Sequence, residues 1–310
     1  SKRWVYRQYD HEVGVRTALR PGDDAAVLAL RECETGLAVS AGADPGWTST
    51  APYEGARAVA LENATNLASK GAEPLAAVDC LNGGNPEKPD VYGGFAAAVD
   101  GLADMCRELS VPVVGGNVSL YNDSATGPIP PTPTLAMLGT KPGYDAPPAA
   151  LDGAGDLLLV GGHADRLGGS EFLARHGGSD RFPTLTENAA GVVAALAAVA
   201  RAETTLAVHD VSDGGLAVAL AELLTDGAGA DVSVPDLAAA FSEAPGRAVV
   251  ETTDPDAVRE AFADVAPVVR LGEATGDGAL SLSLDASDEA VVRDAEAVRD
   301  LRDVFARELD

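Results

Sequence analysis

The sequence predicts an α/β protein of two domains, each with a mixed sheet, and three observations predict it. Short apolar runs bounded by Gly, Pro and Asp alternate with longer stretches whose apolar residues recur at helical spacing. From Lys141 to Gly155 the composition shifts to Pro, Gly, Ala and Asp, which divides the chain into residues 1–145 and 146–310. The 310 residues, 46% of them hydrophobic, are enough to build two cores of ordinary size.

The elements follow in order. Ala25 to Leu30 and Leu37 to Gly42 are short apolar runs next to Pro21-Gly22 and Asp44-Pro45-Gly46, and both read as strands. From Tyr53 to Lys70, Ala56, Val59, Ala60, Ala64, Leu67 and Ala68 fall on one helical face, and Gly71 ends the helix. Leu75 to Leu81 reads as a strand, Val91 to Leu109 as a helix, and Val111 to Val114 and Thr134 to Gly139 as strands. Beyond the linker, strands are expected at Asp156 to Val160, Thr205 to His209, Arg247 to Glu251, Val268 to Gly272 and Leu280 to Leu284. Helices are expected at Ser170 to Arg175, Asn188 to Ala202, Gly214 to Leu224, Pro255 to Ala263 and Glu289 to Arg307.

Composition excludes several classes. The formal net charge of -26 repels nucleic acid. No window offers about 18 uninterrupted apolar residues, and Ser1-Lys2-Arg3-Trp4 does not resemble a signal peptide, so a cytoplasmic protein without a membrane association is expected. Cys33, Cys80 and Cys106 have no metal-finger spacing and read as reduced core thiols. Lysine occurs only at positions 2, 70, 88 and 141, and arginine supplies the remaining positive charge, a balance expected of a halophile's cytosol. The beginning at Ser1 fits a piece of a larger protein or a split subunit.

The residues with the most chemical content are Gly115-Gly116-Asn117-Val118-Ser119-Leu120-Tyr121-Asn122, where an apolar strand runs into two glycines and then amide and hydroxyl groups. Glycines let a backbone approach a phosphate, and an Asn carbonyl suits Mg²⁺; the same residues also make an ordinary turn. Asp79, expected at the end of its strand, is either a ligand at the carboxyl end of an open sheet or a turn cap. Asp23 and Asp24 can gather Mg²⁺ or form an acidic turn, with Asn63 and Asn66 on the neighbouring helix. Gly168-Gly169-Ser170-Glu171 offers an anion site or a helix cap, the cap being favoured. His209 reads as a structural hydrogen-bond partner rather than a general acid.

Four blocks carry a family resemblance: Trp4-Val5-Tyr6-Arg7-Gln8-Tyr9-Asp10-His11, Pro21-Gly22-Asp23-Asp24-Ala25-Ala26-Val27-Leu28, Asp79-Cys80-Leu81-Asn82-Gly83-Gly84-Asn85-Pro86-Glu87 and Gly115 to Asn122. In this order they resemble the second half of phosphoribosylformylglycinamidine synthase subunit II, within the aminoimidazole ribonucleotide synthetase-like ATP-binding superfamily. The likeness continues through Pro130-Pro131-Thr132-Pro133, Gly168 to Glu171 and His209-Asp210-Val211-Ser212-Asp213-Gly214-Gly215-Leu216-Ala217. It implies a first domain whose sheet pairs with another into a barrel and a second α/β sandwich. It also implies a ligase that uses ATP and Mg²⁺ to turn formylglycinamide ribonucleotide and glutamine-derived ammonia into the amidine. On matching positions it implies that Asp79 and Gly116 contact ATP, Asn117 ligates Mg²⁺ and Ser119 touches the substrate, with an auxiliary nucleotide or metal site at Asp23, Asp24 and Asn66.

The resemblance assigns no catalytic residue to this chain; the catalytic His and most acidic metal ligands belong to the other half. The implied partners are that missing half, a glutaminase subunit and a small accessory subunit, and the isolated chain is expected to form a homodimer. Two other readings stay open: a self-sufficient kinase or cyclo-ligase of the same superfamily, and a non-catalytic half that holds a nucleotide for stability. The charge generates a first prediction. The melting temperature should rise from dilute to molar KCl, where the Debye length falls to about 3 Å and carboxylate repulsion is screened; a flat melting curve across the KCl series would contradict salt adaptation.

Overall fold

The computed structural model describes residues 9, 11, 13–285, 290–302, 304 and 308. The first half contains β1 (Thr17–Leu19), β2 (Ala26–Leu30), β3 (Thr35–Gly42), α1 (Pro45–Thr50), α2 (Pro52–Ser69), β4 (Glu73–Asn82), α3 (Pro89–Glu108) and β5 (Val113–Ser119). A short ribbon, β6 (Asp123–Ser124) and β7 (Gly127–Pro128), precedes β8 (Thr132–Pro142). One six-stranded sheet runs β1-β2-β3-β8-β4-β5. Its neighbours are antiparallel except β4 and β5, which are parallel and joined through α3, as a crossover requires.

The second half contains β9 (Asp156–Val160), α4 (Glu171–His176), α5 (Ala189–Ala200), β10 (Thr205–Asp210), α6 (Gly215–Glu222), β11 (Gly229–Val234) and α7 (Leu237–Phe241). It closes with β12 (Ala248–Thr252), α8 (Pro255–Ala261), β13 (Val268–Thr275), β14 (Ala279–Leu284), β15 (Ala290–Asp294) and α9 (Ala295–Arg302). Its seven-stranded sheet runs β10-β12-β9-β13-β11-β14-β15, with β11 and β14 parallel. Among the described residues no helix is long and apolar enough to cross a membrane.

Helix α2 lies at the centre. Pro52 occupies its first turn and Gly71, with φ of 76°, follows its last, both as helix chemistry favours. The sequence predicts one apolar face, yet twelve of its eighteen residues are buried. The cause is its position: it packs beneath β3 and β8 on one side, along α3 on another, and against α5 and β10 of the second half. Alanines let these neighbours approach closely, and Gly101 of α3 does the same, since a methyl group there would overlap the Tyr53 carbonyl. One core cluster therefore runs from Val27 and Met137 of the first sheet through Leu61 and Leu67 to Leu158, Leu196 and Val250 of the second half. A smaller core beyond the second sheet joins Leu157, Leu216, Val232 and Leu271.

Several expectations change. The strand expected over Val111 to Val114 starts only at Val113 and runs on as β5 to Ser119, taking in the whole Gly-Gly-Asn-Val-Ser motif; an edge strand stays extended because its partner β4 continues beside it. The helix expected over Glu289 to Arg307 begins as β15, whose Ala290-Val291-Val292 run suits a strand paired to β14, and α9 starts only after Asp294, whose side chain accepts from Ala297 N at 2.7 Å. Glu289, residue 303 and residues 305–307 of that expectation, and residues 4–8 and 10 of the first motif block, lie outside the described residues. β1, α1, β11 and α7 are elements the sequence reading did not anticipate.

The first sheet covers one face with α2 and α3. On the other, Leu28, Leu30, Leu37 and Val39 are only half-buried, and Leu75, Val78 and Leu138 are 52%, 44% and 38% exposed. A solvent-facing side of an antiparallel sheet normally carries polar residues, so this apolar face has the character of a packing surface. The sheet is open at β1 and β5 and does not close into a barrel within one chain.

The shared core gives a second prediction. Leu61 is fully buried and reaches the Gly246 segment of the second half. Leu61→Ala should cost about 2–5 kcal/mol, lowering the denaturation midpoint of both halves together in a single transition; two separate transitions would show that the halves do not share this core.

Candidate functional site

β4 and β5 bring the motif residues together. In their parallel register Asp79 lies opposite Gly116, Cys80 opposite Asn117, and Asn82 opposite Ser119. Asp79 is not at the end of its strand, as its turn-cap reading would need, but three residues inside it, because β4 extends to Asn82. Asp79 and Gly116 touch: a Cβ at position 116 would overlap the Asp79 carboxylate and backbone oxygen. Asp79 shares its strand face with Ala77 and Leu81 and turns toward the helix layer, where its charge helps burial raise the Cys106 thiol to about 11. Burial also raises the Asp79 pKa.

Alternation places Asn117 and Ser119 on the opposite face from Gly116, together with Cys80 and Asn82. The strand is not buried, as its apolar lead-in suggested: residues 113–118 are exposed because β5 is the sheet's edge. A ligand at this edge can therefore reach both faces. Ser119 is held by Asn122, whose Nδ2 donates to Ser119 O at 2.9 Å, to Ser119 Oγ at 3.2 Å and to Gly83 O at 3.1 Å. Gly83 N donates to Ser119 O at 2.9 Å, Asp123 Oδ1 accepts from Asn85 N at 2.9 Å, and Lys88 Nζ pairs with Asp123 Oδ2 at 2.5 Å. The loops after β4 and β5 are thus tied into one unit.

The Asp23 and Asp24 cluster has another arrangement. Lys70 Nζ, fully buried, lies 2.5 Å from Asp23 Oδ1 and 3.4 Å from Asp24 Oδ2, and donates to Pro147 O and Val208 O at 3.1 and 3.0 Å. His209 Nδ1 lies 2.5 Å from Asp24 Oδ1 and Nε2 3.2 Å from Glu222 Oε2, so His209 is a bridge between carboxylates, in line with its structural reading. Burial alone would raise the Asp24 pKa, but Lys70 and His209 outweigh it and hold it at about 2. Burial would lower His209, and Asp24 and Glu222 instead raise it well above its ordinary value. Asn66 lines the same cleft, of about 1190 Å³, whereas Asn63 is buried, donating to Val59 O and meeting Ser40 Oγ, and is not available there. Asp24, His209 and Asp210 are close enough to share a cation, but Lys70 already supplies one positive charge to Asp24.

A third cluster was not legible in the sequence. Glu243 Oε1 accepts from Glu171 N and Gly214 N, both at 2.8 Å, and Oε2 from Trp47 Nε1 at 3.3 Å. The Gly168 to Glu171 segment therefore offers an amide to an internal carboxylate, while Ser170 Oγ caps α4 from Leu173 N. Burial raises Glu243 to about 7, Asp44 to about 6 and Asp210 to about 7, Asp24 adding to the last. Only distant contacts create this site, and no local motif marks Glu243.

Comparison with known proteins now bears on this geometry. A family model described as AIR synthase related protein, N-terminal domain, matches residues 22–140, and its C-terminal counterpart matches residues 153–285. The chain belongs to the AIR synthase related family. Over its full length it is 66% identical to the phosphoribosylformylglycinamidine synthase subunit PurL of Halorubrum lacusprofundi and to that of Halobacterium salinarum, covering 44% of each. The Methanosarcina acetivorans PurL is 43% identical over 89% of the chain and 40% of that protein. The chain thus spans less than half the length of the curated relatives it matches. Among solved structures, Thermotoga maritima PurL complexed with ATP has a TM-score of 0.60 at 24% identity, covering 89% of this chain and 40% of that one. A HypE-HypF complex chain has a TM-score of 0.66 at 14% identity, covering 88% and 92%. These likenesses establish the fold of this AIR synthase related chain.

The buried acids set a pH dependence. Glu243, Asp44 and Asp210 hold protons more tightly when folded, so their contribution to stability is full below their ordinary pKa near 4 and is lost as pH rises through about 6 to 7. His209 has the same sign, its contribution being full below about 6.5 and lost above. Asp24 has the opposite sign and is lost as pH falls from about 4 toward about 2. The melting temperature at constant KCl should peak near pH 4–5 and fall toward pH 8, with Asp210→Asn flattening part of that fall; a profile rising to pH 8 would contradict the assignment.

Proposed function

We propose that the chain supplies one half of an ATP-dependent ligase that converts formylglycinamide ribonucleotide and ammonia into formylglycinamidine ribonucleotide in purine biosynthesis, glutamine being the source of the ammonia. The observation that carries this reading is the end-to-end match to PurL subunits combined with the register that sets Asp79 against Gly116 and Asn117 beside Ser119. Solved PurL structures are described as complexes with ATP and with FGAR, which supports ATP and this substrate as the ligands. The choice of the second half rests on the four motif blocks; the 44% coverage says only that the chain is about one half. The division at residues 145 and 146 follows the connector between β8 and β9, although the core crosses it.

In this reading Asp79 and Gly116 line the nucleotide side of the β5 edge. Gly116 keeps the backbone low enough for a phosphate to lie against it, because a side chain there already collides with Asp79. Ser119, fixed by Asn122, presents its hydroxyl to the ribonucleotide on the other face. Among the described residues the Asn117 side chain has no hydrogen-bond partner and is exposed, which fits one oxygen ligand of Mg²⁺; its other ligands must come from elsewhere. When bound, Mg²⁺ would neutralise charge on the transferring phosphoryl group. The Asp23, Asp24 and Asn66 cleft is proposed only as an auxiliary site, since Lys70 and His209 already balance its acids.

The apolar open face of the first sheet supports pairing with the missing half, or with a second copy in the isolated chain. The glutaminase and small accessory subunits complete the proposed assembly, the cytoplasm is its proposed location, and the acidic surface is read as salt adaptation. In the assembled enzyme Asn117→Ala should reduce kcat by about tenfold or more with the melting temperature unchanged. The isolated chain should give no ammonia-dependent turnover and should scatter light as a dimer in molar KCl. Full activity of the mutant would sink the metal assignment of Asn117, and turnover by the chain alone would sink the half-enzyme reading.

A further inference from the structure

Tyr121 is held in a conformation that its residue type resists. Its φ is 62°, in the left-handed region where a Cβ crowds the neighbouring carbonyl. Among the described residues the other non-glycine positions with positive φ are Val15, Glu34, Ser110 and Asp264. These lie at or just beyond the ends of helical segments, where a left-handed residue is an ordinary terminator. Tyr121 instead follows a strand, two residues beyond Ser119 at the end of β5. Backbone hydrogen bonds impose the conformation: Tyr121 N donates to Gly84 O and Asn122 N to Gly83 O, both at 3.2 Å, while Asp123 N donates back to Tyr121 O at 3.0 Å. The turn is thereby clamped to the loop after β4, and strain held in this way collects at functional sites. A position needed only for its turn is served better by Gly or Asn, so the reason for a tyrosine lies in its side chain.

The clamp does not bury that side chain. Tyr121 is 60% exposed, and among the described residues its hydroxyl has one neighbour, Glu87 Oε1 at 3.4 Å, too far for a full hydrogen bond between oxygens. The turn and the Glu87 loop stand at the carboxyl ends of β4 and β5, a parallel pair, which is where open α/β sheets bind ligands. We propose that Tyr121 is a substrate-contact residue that reads a ribose hydroxyl of the ribonucleotide. This deepens the proposed function and rests on the contact of Ser119 with the same substrate. A phenol hydroxyl donates and a carboxylate accepts, so Tyr121 and Glu87 together match one sugar hydroxyl, which accepts from the first and donates to the second. The 5′-phosphate does not suit this pair, because the Glu87 carboxylate repels it. Fixing the backbone beneath the ring before the substrate arrives lowers the ordering cost of binding.

The test uses the assembled enzyme with formylglycinamide ribonucleotide and its 2′-deoxy and 3′-deoxy analogues. Tyr121→Phe removes only the hydroxyl and should raise KM for the ribonucleotide about tenfold, with KM for ATP unchanged. With whichever analogue lacks the hydroxyl that Tyr121 reads, wild type and Tyr121→Phe should give the same KM. Tyr121→Asn suits the left-handed turn and should raise KM for the ribonucleotide at least as far, with the melting temperature unchanged or raised, a split that a packing role would not give. An unchanged KM in Tyr121→Phe, the same loss with both analogues, or a Tyr121→Asn variant that no longer assembles would overturn the proposal. Ser119→Ala separates the two readings: a raised KM there beside normal Tyr121 variants strikes this inference alone, whereas normal values in all three variants strike the substrate site itself.

Discussion

The buried ammonium of Lys70 is the contact on which the arrangement of the two halves depends. It ends α2, pairs with Asp23 and Asp24 at the start of the first sheet, and donates to backbone carbonyls of the connector and of β10. A buried charge is tolerated only when oxygens surround it, so each of these four groups is held where the ammonium needs it. Removing one partner of such a cluster typically costs about 3–5 kcal/mol, because the remaining charges stay buried. The same tie helps keep Asp24 ionised, whereas burial and the Asp24 charge push its neighbour Asp210 toward protonation, with His209 at 3.7 Å and Lys70 only partly opposing them. His209 extends the network to Glu222 of α6, so the polar seam continues where the shared apolar core stops.

Much of the fold was legible because local chemistry and global packing agree. The helix from Tyr53 to Lys70 has alanine spacing, a proline at its start and a glycine after its end, and it forms within one residue of those bounds. What the pattern could not say is that nearly all its sides would be covered, since small residues look alike on an exposed and a buried face. The C-terminal segment failed for the opposite reason. Charged residues at helical spacing suited one long helix, but Ala290 to Val292 found a strand partner in β14, and pairing overrode propensity.

The motif residues were visible because glycine next to amide and hydroxyl groups is chemically distinctive even without neighbours. Their placement was not. A strand taken to stop before the motif would put Asn117 and Ser119 in a loop beyond the sheet; the strand that includes the motif sets Gly116 on the face of Asp79 and Asn117 and Ser119 on the other. That difference follows from the period of two along a strand, which converts one residue of register into a reversal of direction. Glu243 was illegible altogether: it is a charged residue in an unremarkable stretch, and only burial among distant backbone groups gives it a role.

The open sheet connects these observations. The first sheet leaves Leu28, Leu37, Val39 and Leu138 on an uncovered face, although its other face and the second half are well packed. The proposed ligand residues sit at the β5 edge of the same sheet, where the strand is exposed and, among the described residues, the Asn117 side chain has no hydrogen-bond partner. In the proposed half-enzyme, one partner would both cover the apolar face and complete the ligands around Asn117. Covering the sheet with a complementary half would shield β5, dehydrate the Asp79 and Gly116 contact and bring further ligands within reach of Asn117. In that arrangement assembly is a precondition for chemistry, because the groups that bind charge are strong only once water is excluded from them.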